Sequence, residues 1–127
     1  MNTCQEAILY LTYLLVYSDG EYDESEKKAI DYIRSQEAIS DDDYQKFLLE
    51  IDDVSERELY NKGVDLVEAC SLEDRLTVFV WLYKLSEADG TVHAKEIRFL
   101  LYSLRKTGVD FDEVKKAADS VAPIPVA

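Results

Sequence analysis

The chain is poor in every residue that interrupts a helix. Its 127 residues include four glycines and two prolines, and both prolines, Pro123 and Pro125, stand near the C-terminal end. With so few breakers and little period-two alternation, it reads as helical almost throughout. Cysteine is equally scarce. Cys4 and Cys70 lie far apart, with no CxxC and no Cys/His pairing. That excludes a thiolate metal site and argues against a disulfide-built secreted scaffold, so buried free thiols in a reducing cytoplasm are expected. His93 is the one histidine, and no ExxH pair of a di-iron bundle occurs. GxSxG, P-loop and GxGxxG motifs are also missing. General acid–base chemistry would rest on carboxylates alone, and the chain is not expected to be an enzyme. Positive charge is short too: 14 Lys plus Arg against 27 Asp plus Glu leave a net charge of −13. Such a field repels phosphate backbones and anionic membrane surfaces, which excludes nucleic acid and points to cations or basic partners. The one long apolar run, Ala7 to Tyr17, is too short to cross a bilayer. It has no basic segment before it and no cleavage site after it. A buried helix is expected there, not membrane insertion.

Hydrophobic residues make up 47% of the chain, and its length suits one domain with a real core. Tyr44, Phe47, Leu48 and Ile51 recur at helical spacing, as do Ile97, Leu100, Leu101 and Leu104, and Val114, Ala117, Ala118 and Val121. Each set is one buried stripe of an amphipathic helix. Ala7–Tyr17 and Leu76–Leu85 are apolar on nearly every face, as central helices are. Ser55 with Glu58, and Ser71 with Asp74, have the spacing of capping boxes. The pattern predicts an all-α fold of seven helices, over about 2–18, 23–35, 41–52, 55–70, 72–88, 93–107 and 112–121. They form one domain, residues 1–121, followed by an extended or frayed tail over 122–127.

An internal repeat organises these helices. Displacement by 70 residues aligns Cys4–Ile33 with Asp74–Ser103 without a gap, and Asp19/Asp89, Gly20/Gly90 and Glu26/Glu96 coincide. Each copy is an apolar helix, an Asp-Gly joint, and an amphipathic helix starting near the Glu. The chain is therefore a duplicated helical hairpin with two intervening helices and a C-terminal extra.

The D-G-x5-E joint has two readings. Gly20 and Gly90 suit helix C-termini. Asp23 with Glu26, and His93 with Glu96, have the N-cap to N3 spacing, with Val92 and Ile97 placed as a hydrophobic staple. Folding alone then explains all but Asp19 and Asp89. The other reading is a hard-cation site, because carboxylate oxygens suit calcium, magnesium or manganese better than zinc. The Gly-to-Glu spacing matches the back half of an EF-hand loop, but the front half fails, since Leu15 or Leu85 would fall at its first position. Each joint supplies a partial set: Asp19, Glu21, Asp23 and Glu26 in one, Glu87, Asp89 and Glu96 in the other.

Elsewhere, Asp41–Asp43 and Asp52–Asp53 bracket the third helix as dipole complements and a solvated turn, with an acidic docking face as the alternative. Tyr13 and Tyr83 recur in the repeat and are expected to fill the core with their hydroxyls at its edge. Tyr10, Tyr17 and Tyr22 lie near the first joint and are expected to pack, or else to rim a groove.

The segments Tyr17–Glu26 and Leu85–Glu96, with a Gly-containing break over Lys106–Asp110 before a short last helix, resemble the tellurite-resistance TerB-like domains. The resemblance runs from about Gln5 to Val121. It implies an all-α domain of about seven helices with pseudo-two-fold symmetry, whose acidic residues, here Asp19, Glu26, Asp89 and Glu96, are proposed to bind a divalent metal. It also implies a bacterial accessory or sensor-like module, with a protein partner in a membrane-associated stress complex. The competing expectation is a metal-free module docking a basic partner through its acidic surface.

Overall fold

The computed structural model describes residues 1–17, 24–88 and 108–125. Among them the chain forms six α-helices and no strand: α1 (Thr3–Tyr17), α2 (Glu24–Gln36), α3 (Asp41–Glu50), α4 (Glu56–Ala69), α5 (Leu72–Ala88) and α6 (Phe111–Ala118). The all-α expectation holds. The helix expected over 93–107, with its Ile97–Leu104 stripe, lies outside the described residues. So does most of the second hairpin's joint.

Short side chains set the helix starts. Ser40, Ser55 and Ser71 each accept from the backbone N–H three residues on, at 3.1, 3.2 and 3.2 Å. The two predicted boxes are thus real as N-caps. At α1 the cap is reciprocal: Gln5 N–H donates to Asn2 Oδ1 and Asn2 N–H to Gln5 Oε1, both at 2.8 Å. Helix ends are less conventional. α2 closes with Ile39 N–H donating to the Arg34 carbonyl at 3.0 Å while Ala38 turns left-handed at φ 56°. α3 stops at Glu50, short of the expected 52, and Asp53 takes the left-handed turn at φ 62°. α4 ends beneath a guanidinium from the next helix: Arg75 Nε donates to the Val67 carbonyl at 3.0 Å and an Arg75 terminal nitrogen to Glu68 at 2.7 Å. A cation there satisfies orphan carbonyls and opposes the negative end of the helix dipole.

α1 and α5 are central, as their all-round apolarity predicts. α1 packs on α4 and α5, and α5 also packs on α6 and touches α2 and α4. Ala7–Thr12 and Leu14–Val16 of α1, and Val78–Leu82 and Leu85 of α5, are all buried. Gly63 lets α4 approach α1 closely, since a Cβ there would stand 2.6 Å from Leu11 Cδ2. Tyr13 packs edge-on against Phe47 and Tyr83 against Phe111, both half-buried as expected. Residues 119–125, after α6, are not helical, yet Ile124 is buried in the core and anchors them. Cys4 and Cys70 are free and buried. Among the described residues no helix is long and apolar enough to cross a membrane.

Candidate functional site

α1 delivers the chain to the first Asp-Gly joint and α2 leaves it. α5 delivers it to the second. Asp19 and Gly20, and Asp89, Gly90, His93 and Glu96, lie outside the described residues, so of the four carboxylates Asp19, Glu26, Asp89 and Glu96 the structure describes the setting of Glu26. It sits on the first turn of α2, where the repeat places it, and is 1% exposed. Its neighbour Glu24 is exposed. A glutamate is rarely shut away from water without charge or hydrogen bonds to offset its desolvation.

On the second hairpin, Glu87 is half exposed on the last turn of α5. Its Oε2 lies 3.8 Å from the ammonium of Lys84, which is itself buried at 4% exposure. Sequence reasoning missed Lys84, although the repeat register carried the signal, since it aligns with the buried Leu14. Among the described residues no three His, Cys, Asp or Glu side chains gather into a metal-holding group. In its chemistry the donor set fits a hard cation: it is all carboxylate, and its described member is withdrawn from water.

The other acidic features are engaged locally. Asp41 pairs with Arg34, whose guanidinium also holds Asp31 at 2.9 Å and lies 4.1 Å over the Tyr44 ring. Asp42 is exposed, and Asp52 and Asp53 lie in the solvated turn after α3. Tyr10 both packs and rims a groove. Its ring meets Phe47 edge-on at 5.1 Å, and it borders a cavity of about 360 Å³ with Glu6, Asp43, Lys46, Glu50 and Lys62. Burial, then the charges of Glu50 and Glu6, push its phenol above the usual value. The side chain of Tyr17, and all of Tyr22, fall outside the described residues.

A family model described as tellurite resistance protein TerB matches residues 5–119, from within the first turn of α1 to just past α6. The chain belongs to the TerB family. Both Asp-Gly joints therefore lie inside the TerB match, and the fold expected from the resemblance is the one found. No curated protein and no solved structure matches the chain. The TerB name records a resistance phenotype, and a phenotype does not specify a chemistry. The chemistry is argued from Glu26 and its repeat partners.

Proposed function

We propose that this TerB-family chain is a non-catalytic accessory module of the bacterial cytoplasm whose repeated acidic joints take up a divalent cation. Asp19, Glu26, Asp89 and Glu96 are its ligands, and calcium, magnesium or manganese suits their oxygens better than zinc. The observation that carries this reading is the burial of Glu26 on the first turn of α2. A cation at the joint offsets the desolvation of that carboxylate and the mutual repulsion of the acids beside it in sequence. Binding to the folded chain alone then stabilises it by linkage, about 2.7 kcal/mol at a cation concentration about 100 times Kd. The cation-loaded form is the one that a protein partner, in a membrane-associated stress complex, reads.

Thermal melting tests this: first in chelator, then in millimolar Ca²⁺, Mg²⁺, Mn²⁺ or Zn²⁺, for the native chain and for Glu26→Gln combined with Glu96→Gln. The expected result is a cation-dependent rise in Tm that the double substitution removes. Identical curves for the native chain in chelator and in every cation overturn the reading. The competing function is metal-free docking of a basic partner through Asp41–Asp43, supported by the exposure of Asp41 and Asp42. It requires a salt-sensitive complex weakened by Asn at all three positions.

A further inference from the structure

α1 and α4 run antiparallel, and two contacts fix their register. Tyr13 and Leu14 of α1 border one cavity with Leu59 of α4. Gly63 stands against Leu11 and Tyr10, close enough that a Cβ there would clash. Descending α1 from Leu14 to Leu11 therefore means ascending α4 from Leu59 to Gly63. Seven residues beyond Leu11 and Gly63, two turns on and on the same faces, stand Cys4 and Cys70. They are the chain's only cysteines, and the register sets them across from each other. The side-chain contacts agree. Cys4 Sγ lies 3.8 Å from the carbonyl of Asp74, four residues past Cys70. Cys70 Sγ donates to the Leu66 carbonyl at 3.1 Å, one turn back along α4. Both cysteines belong to the same core cluster, at 9% and 7% exposure. After burial, the largest influence on each thiol, both feel the Asp74 carboxylate, and Cys4 also feels Cys70. Ala7, between Cys4 and Leu11 on that face of α1, and Gly63 are small, so the backbones come near, as a disulfide requires.

We propose that Cys4 and Cys70 are a redox-closable pair, joined as a disulfide when a hydroperoxide reaches the folded chain. Cys70 is the thiol with a cation, Arg75, favouring its ionised form, against burial and Asp74. Its sulfur takes one oxygen from the peroxide, whose O–O bond breaks to release water or an alcohol, and becomes a sulfenic acid. Cys4 then gives up its proton and attacks that sulfur. The S–S bond forms and the sulfenic hydroxyl leaves as water. In total the two thiols lose two electrons and two protons, and the peroxide is reduced by them. Burial keeps both thiols slow, so the chain stays reduced until oxidant is plentiful. Access comes by fraying of the first turn of α1, which carries Cys4. The closed bond ties that turn to the corner between α4 and α5 and encloses α2 and α3 in one loop. It stands apart from the cation reading, since no carboxylate of either joint takes part.

Hydrogen peroxide, added to the folded native chain in chelator, tests the pairing. The expected product has lost both free thiols, runs as a monomer on a non-reducing gel, and yields a cross-linked Cys4–Cys70 peptide on mass mapping. Its Tm should rise by about 10 °C and fall back on reduction with dithiothreitol, because the bond closes a long loop of the unfolded chain. Cys4→Ser and Cys70→Ser, each checked for folding by circular dichroism, keep one thiol and should show no such rise. Thiols that stay free in the native chain overturn the pairing. So do oxidation to sulfinic acid without a cross-link, cross-links formed only between copies, and a cross-linked monomer that melts at or below the reduced one. With chelator present throughout, none of these outcomes bears on cation uptake.

Discussion

The indole N–H of Trp81 donates to Glu37 Oε1 at 2.5 Å, joining the middle of α5 to the turn that ends α2. The same Glu37 also accepts at its backbone carbonyl from Gln5 Nε2, at 2.8 Å. One residue thus links three helices, α1, α2 and α5. Trp81 is the only tryptophan, so the linkage is visible by fluorescence. Trp81→Phe, which leaves the carboxylate without its donor, should cost about 1–2 kcal/mol in urea unfolding. Glu37→Ala should cost a similar amount and shift the native emission.

Ala38 is held at φ 56°, a conformation that costs an L-residue about 1–2 kcal/mol and glycine almost nothing. Ala38→Gly should therefore stabilise the chain by about 0.5–1 kcal/mol, net of the greater freedom glycine gives the unfolded state. Ala29→Gly in the interior of α2 should do the opposite, by about 1 kcal/mol or more. Equal effects at the two sites would refute the left-handed closure of α2.

Gly63 and Leu11 set the spacing of α4 and α1. Gly63→Ala adds a methyl 2.6 Å from Leu11 Cδ2 and should destabilise by about 1–3 kcal/mol, despite alanine's better helix propensity. Leu11→Ala removes the clashing atoms at the price of a cavity. The two substitutions together should therefore cost less than the sum of each alone, a coupling that a double-mutant cycle measures directly.

Alkaline pH should weaken the fold. Burial, then the charge of Asp74, pushes the Cys4 thiol from 9.0 up to about 12. Burial also raises Cys70, against a lowering contribution from Arg75, and raises Tyr10. The unfolded chain releases the Cys4 proton near pH 9 while the folded chain retains it. The unfolded state then binds fewer protons, and stability falls as pH rises. For Cys4 the slope approaches about 1.4 kcal/mol per pH unit between pH 9 and 12. Cys4→Ala should flatten that part of the profile. In the native chain both thiols should react with iodoacetamide at pH 8 far more slowly than in urea.

Most of the architecture was legible because it rests on local chemistry. Ser55 and Ser71 cap where their spacing with Glu58 and Asp74 says, and Tyr44, Phe47 and Ile51 of the third helix face the core. Its end was not legible, because Asp53 rather than a glycine makes the left-handed turn; Ala38 hides the end of α2 in the same way. The candidate site was legible only as a pattern. A glutamate in a first helical turn reads as a cap whether it is exposed or buried, so spacing could not reveal that Glu26 is shut away from water. The burial of Lys84 is likewise a tertiary fact. Only the alignment with Leu14 could have indicated it.

The burial of α1 on almost every side has a consequence for hydrogen exchange. Its interior amides have no partial opening that exposes them while the remaining helices stay packed, so they should exchange only as fast as the whole domain unfolds. α3, which buries a single stripe beside the exposed Leu49, should exchange through cheaper local openings. A ligand that stabilises the entire domain would slow α1 and α3 by different factors, with the larger at α1. The helix that enters the first joint is therefore the domain's own internal gauge of global stability.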